Sequence, residues 1–248
     1  MPDVIGYRAN VAVLIPSTNT VVEAEYNMMA PHGVTIHAGR MYVGRPQLHS
    51  DEATVQLLDD VRADVPNAVR DVVTLQPDQI VMGMSAPTFY GGLEGCRQYE
   101  REITELAGGV PVTSGPASLV RALDALEART IGVLSPYQPV NDKQVVNYFE
   151  EAGRSITGYL GMRTGSATGI AELTEDEVRP KLTELAASKP DAIVQVGTNL
   201  AMVRLAGEAE RWLGLPVLAI NATSMWSALR DLGIDDGIRG FGCLLRDH

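Results

Sequence analysis

Short runs of aliphatic and β-branched residues recur from one end of the chain to the other. Each is followed by a longer stretch in which apolar positions return every three or four residues. Brief unbroken apolar runs read as buried strands, and the three-to-four spacing reads as amphipathic helix. Strands are predicted at 11–15, 34–43, 79–82, 112–113, 130–134, 156–160, 192–196 and 217–220. Helices are predicted at 53–75, 93–107, 117–128, 141–152, 175–187, 200–213 and 224–232. Strands without polar alternation are covered on both faces, so this order predicts an α/β fold with parallel sheets.

The pattern repeats. Pro77-Asp78-Gln79-Ile80-Val81 is echoed by Pro190-Asp191-Ala192-Ile193-Val194. A Gly and a hydroxyl residue follow each copy, Gly83 with Ser85 and Gly197 with Thr198. Further on, Gly109-Val110-Pro111-Val112 is matched by Gly214-Leu215-Pro216-Val217. Duplication accounts for these spacings better than chance likeness between two βα units. It predicts two α/β domains, 1–116 plus 221–248 and 117–220, with a cleft between them. Ligands of parallel sheets bind beyond the carboxyl ends of the strands, so both Gly–hydroxyl tips would face that cleft.

Composition narrows the chemistry. The chain has 248 residues, 45% hydrophobic and 21% charged, with a formal net charge of −11. A nucleic-acid partner needs clustered Lys and Arg, so that class is disfavoured. A small anion is not, since a few N–H groups suffice to hold it. No apolar run is long enough for a membrane span, and residues 1–10 lack a signal-peptide pattern, so a cytoplasmic location is the expectation. Cys96 and Cys243 form no ligand spacing, and neither do His32, His37, His49 and His248. No metal is expected, and no glycine-rich nucleotide motif follows a strand.

Four strand-end loops carry the candidate chemistry. Pro16-Ser17-Thr18-Asn19-Thr20 precedes a helical stretch with Glu23 and Glu25; its polar groups suit either anion binding or helix capping. Gly83-Met84-Ser85-Ala86-Pro87-Thr88 offers a hydroxyl but not a nucleophile elbow, because Pro87 stands where a second Gly is required. In Ser135-Pro136-Tyr137-Gln138-Pro139 a phenol is held between two prolines, suited to a developing negative charge. Gly197-Thr198-Asn199 is the partner of the second loop.

Together these loops resemble the maleate cis–trans isomerase and arylmalonate decarboxylase family, within the aspartate/glutamate racemase superfamily. The first loop with His37 and Arg40-Met41, Met82-Gly83-Met84-Ser85 with Phe89-Tyr90, and Tyr137 carry the resemblance. It implies two pseudo-symmetric parallel-sheet α/β domains, no cofactor, a homodimer or higher homo-oligomer, and two opposed catalytic cysteines. The apolar stretch 117–128 is a candidate for the dimer face. This chain departs from the pattern at both cysteines, with Gly83 and Met84 at one position and Gly197 at the other. Thiol addition and two-base proton transfer both lose their groups.

What remains is a frame for a carboxylate-derived oxyanion. Ser85, Tyr137 and Thr198 are the catalytic candidates; Ser17, Asn19, Gly83, Met84, Gly197 and Asn199 are the binding candidates. A lyase acting on a small carboxylate or dicarboxylate, by decarboxylation or by addition and elimination of water, is the leading reading. A hydrolase whose water is activated by Glu23 is one alternative. A non-catalytic carboxylate-binding paralogue and a maleate-type isomerase are the others. Loss of a cysteine at Gly197 is expected to leave room there for a water or a bulkier substrate.

Overall fold

The apolar runs become strands in the predicted order, and every pairing between them is parallel. Strands β1 (Ala9–Pro16), β2 (Val34–Met41), β3 (Gln79–Met82) and β4 (Val112–Thr113) form one sheet in the order β2-β1-β3-β4. Strands β5 (Thr130–Ser135), β6 (Ser155–Gly161), β7 (Ala192–Gln195) and β8 (Val217–Ala219) form the second, ordered β6-β5-β7-β8. The same order twice is the duplication in structural form. The computed structural model describes residues 3–44, 48 and 50–248; His49 lies outside them.

Helices connect the strands: α1 (Val22–Met29), α2 (Asp51–Val73), α3 (Gly92–Leu106), α4 (Gly115–Ala125), α5 (Pro139–Glu151), α6 (Glu175–Ala186), α7 (Val203–Leu213) and α8 (Ile220–Asp231). A short α9 (Cys243–Asp247) was not predicted, since five residues are too few to show a period. Helix α7 starts at Val203 rather than at 200.

The repeated Pro-Asp pair sets strand starts. Asp78 Oδ2 accepts from the Asn10 N–H at 2.8 Å, and the Asp78 N–H donates to Asn10 O at 2.9 Å. In the second half Asp191 Oδ2 accepts from the N–H groups of Arg129 (2.9 Å) and Thr130 (2.7 Å), and its own N–H donates to Thr130 O at 2.9 Å. The preceding Gln76 and Lys189 both sit in the left-handed region, with φ of 54° and 53°. Backbone donors hold the Asp191 carboxyl below its ordinary range. A carboxylate whose folded pKa is depressed stabilises the fold above its unfolded value of ~3.9, and the contribution is lost as pH falls through the folded value. Asp191→Asn is therefore expected to lower the urea midpoint at neutral pH. The gap to the parent should begin to close below about pH 5 and vanish once pH has fallen through the folded value.

One apolar core runs through both halves, with Val13, Leu119, Phe149, Val194 and Met225 all within it. A second core fills the space between the first sheet and helices α2 and α3, around Val61, Val65, Ile80 and Ile103. The first of these cores crosses the expected boundary between 1–116 plus 221–248 and 117–220. Helix α8 bridges them, packing on α4, α1, β3, β4 and β8. The apolar residues Leu119, Ala122 and Leu123 of α4 are buried inside the chain and are not free to meet a second copy.

Candidate functional site

The carboxyl tips of β1, β3, β5 and β7 converge on one cavity of about 730 Å³, a figure that includes its open mouth. These are the inner strands of each sheet, and the chain direction of winding reverses between them, which leaves a crevice beyond the strand ends. Facing the two crevices toward each other makes a single chamber. Asn19, Met84, Ser85, Tyr137, Gly197, Thr198 and Asn199 all line it, so seven of the nine candidate residues meet there.

Its polar end is a directed chain of hydrogen bonds. The Thr198 N–H donates to Ser85 Oγ at 3.3 Å, Ser85 Oγ and Tyr137 Oη share a short hydrogen bond, and Tyr137 Oη donates to Val196 O at 2.8 Å. Since the phenol proton goes to Val196, the Ser85 proton goes to Tyr137. An arriving carboxylate oxygen can take the Ser85 proton and the Thr198 N–H without any backbone movement. Thr198 therefore offers its main chain to this end; its hydroxyl accepts instead from Asn19 Nδ2 at 3.5 Å.

Local structure fixes these groups. The Tyr137 N–H donates to Ser135 Oγ at 3.1 Å, and Ser135 Oγ donates to Asp142 Oδ1 at 2.6 Å, while the flanking proline Pro139 opens α5. Burial pushes the Tyr137 phenol well above its ordinary pKa, against the hydrogen bond from Ser85, so it stays neutral. The Ser85 carbonyl is held by the N–H and hydroxyl of Thr88, the latter at 2.7 Å, in the 3-10 turn at Ala86–Phe89. Asn19 both lines the cavity and caps α1, its Oδ1 accepting from the N–H groups of Val21 (2.9 Å) and Val22 (3.0 Å). Capping and binding thus coexist in one residue. Asn199 ties loops together, accepting from the Thr20 N–H at 3.1 Å and donating to Ala167 O at 3.0 Å.

The structure corrects several expectations. Ser17 is exposed and outside the cavity lining; its Oγ accepts from the Val43 N–H at 3.0 Å, so it fixes the chain after β2. Gly83 also lies outside the lining. An added Cβ would come within 2.4 Å of Ile15 Cγ2 and 3.0 Å of Leu14 O, so its glycine serves close strand packing. Gly197 leaves no vacancy, because a Cβ there would sit 2.2 Å from Pro136 Cγ and 2.7 Å from Cδ. Glu23 faces away from the cavity and pairs with Arg40 at 2.6 Å, so the hydrolase reading loses its base.

Neither cysteine reaches the cavity. Cys96 is buried with its thiol pushed up to about 11, and Cys243, beside Glu210, has a thiol pushed up to about 12, in both cases chiefly by burial. His32 bonds Tyr7 at 2.7 Å and His37 bonds Thr35 at 2.9 Å, both outside the lining. Among the described residues no cluster of three potential metal ligands exists, and no helix is long and apolar enough to cross a membrane.

Other lining residues escaped the sequence. Leu57, Leu58 and Val61 of α2 add an apolar part to the lining, as do Leu48 and Ile170. Their helical spacing announces a buried face but not that this face lines a cavity. Asn141 is held by the Tyr90 hydroxyl at 2.6 Å. Among the described residues no charged side chain lines the chamber.

The sequence profile of the arylmalonate decarboxylase family matches residues 19–245. A maleate isomerase from Nocardia farcinica is 26% identical, over 98% of this chain and 97% of its own. Another, from Pseudomonas putida, is 22% identical over 94% and 95%. Among solved structures, a cysteine-to-serine variant of the Nocardia farcinica maleate cis–trans isomerase, with a covalently bound succinylcysteine intermediate, aligns with a TM-score of 0.86. Its identity is 24%, over 96% of this chain and 98% of that one. A liganded variant of arylmalonate decarboxylase aligns with a TM-score of 0.82 at 18% identity, over 95% and 97%.

Proposed function

The chain belongs to the arylmalonate decarboxylase family, and on that premise we propose that it is a cofactor-independent lyase. It removes carbon dioxide from a small malonate-type carboxylate, holding the developing charge with hydrogen-bond donors rather than with a thiol. The observation that carries this reading is the Thr198–Ser85–Tyr137 chain in a chamber whose described lining holds apolar side chains and no charged one.

One carboxylate of the substrate takes the donors of Ser85 and Thr198. The other lies along Leu57, Leu58 and Val61, where it is poorly solvated and leaves as a neutral molecule. The electrons of the broken carbon–carbon bond pass into the retained carboxylate as an enediolate, the species the donors favour. The carbon then takes a solvent proton through the open mouth, giving the monocarboxylate. When the Ser85 proton turns to the substrate, the proton of the neutral Tyr137 phenol turns from Val196 O to Ser85 Oγ and keeps the hydroxyl in place.

The test is a parallel assay with phenylmalonate and maleate. Carbon dioxide and phenylacetate from the first support the lyase. Fumarate from the second would make the protein an isomerase, and binding of either without turnover would make it a carboxylate-binding protein. Glu23→Gln is expected to keep its rate within about twofold of the parent, as befits an exposed pair off the site.

A further inference from the structure

Glu25 is a carboxylate that the chemistry above does not use, and it is almost fully buried. It stands on α1, yet its carboxylate reaches the start of α7 and the start of α8. Glu25 Oε1 accepts from the N–H groups of Met202 (2.7 Å) and Val203 (3.0 Å), the start of α7. Met202 has no side chain able to cap that helix, so Glu25 supplies the cap across the cleft and sets where α7 begins.

Glu25 Oε2 accepts from Asn221 Nδ2 at 2.6 Å, and the same amide nitrogen donates to Thr198 O at 2.9 Å. Asn221 Oδ1 has no partner and is buried. The amide orientation is thereby fixed, since a flip would set an oxygen against two acceptors. The peptide following Thr198 is thus tied to Glu25, while the Thr198 hydroxyl is tied to Asn19, which caps the helix that carries Glu25. The contacts close into a ring running Asn19, α1, Glu25, Asn221, Thr198 and back to Asn19.

We propose that Glu25 and Asn221 are positioning residues that aim the Thr198 N–H into the cavity by holding Thr198 between them and Asn19. The ring itself stands on geometry; its effect on a bound carboxylate rests on the function proposed above. Neither residue lines the cavity, so both act only through Thr198.

Amide hydrogen exchange by NMR, with phenylacetate titrations, tests this on the full chain. In Asn221→Ala, exchange at Thr198 is expected to quicken about tenfold, the worth of one lost hydrogen bond, with Met202 and Val203 unchanged. Glu25→Gln keeps an oxygen for those two amides but sets an N–H against Asn221. Thr198 should again quicken while the start of α7 does not, a split that a capping role alone would not give. Phenylacetate affinity is expected to fall about tenfold in both variants. Unchanged exchange at Thr198 in both variants would overturn the ring, and so would a uniform rise over the whole chain. Quickened exchange with affinity intact would overturn the positioning role. If the parent protein binds no phenylacetate while exchange splits as described, the ring stands and the carboxylate reading falls.

Discussion

Ser85→Ala is expected to lower the rate of carbon dioxide release by about two to three orders of magnitude, the usual cost of removing one oxyanion donor. The loss should fall on kcat more than on KM, because the Ser85 proton is worth most when charge gathers on the retained carboxylate. Stability should hardly change, since Tyr137 keeps its bond to Val196 O and the Thr198 N–H that loses Ser85 Oγ lies at the cavity lining, where water can take it. Tyr137→Phe should cost as much in rate for a different reason. It strips the buried Val196 carbonyl of its donor and frees the Ser85 hydroxyl to turn, and an unpaired buried group costs about 1–3 kcal/mol. Initial rates together with urea midpoints separate the two cases: rate alone falls for Ser85→Ala, rate and midpoint fall for Tyr137→Phe. A full rate in Ser85→Ala would remove the donor chain from the mechanism.

The second large effect concerns the missing thiol. Gly197→Cys is expected to destabilise the protein by about 1–3 kcal/mol, as overpacking does, because the new Cβ meets the Pro136 ring. A proline ring cannot swing aside as the end of a flexible chain would. Gly197→Cys with Pro136→Ala removes the obstacle and should recover most of the stability. The thiol of the double variant should also label with iodoacetamide faster than that of the single variant. Equal midpoints for the single variant and the parent would show that Pro136 yields. The two loops that meet at Gly197 and Pro136 are a matched pair.

Much of the fold was legible because strand runs are short, unbroken and bounded by turn residues, as at Gln79–Met82 and Ala192–Gln195. The duplicated Pro-Asp was legible for the same reason, and its task at the strand starts is purely local. Direction at the strand tips was not. Ser17 and Asn19 are two residues apart, yet one turns out to Val43 and the other in to the cavity. Glu25 did leave a signal: Val22, Glu25, Tyr26 and Met29 share one helical stripe, and all four are buried. A carboxylate inside such a stripe demands partners from elsewhere. The meeting of Gly197 with Pro136 left none, because it arises only when β5 and β7 lie side by side.

The core shared by both halves has a mechanical consequence. Leu119, Phe149, Val194 and Met225 lie in one continuous packing, so turning one sheet against the other would have to break close-packed contacts. The chamber is in this sense preset: Ser85 and Thr198 already stand within hydrogen-bond reach of each other with no guest between them.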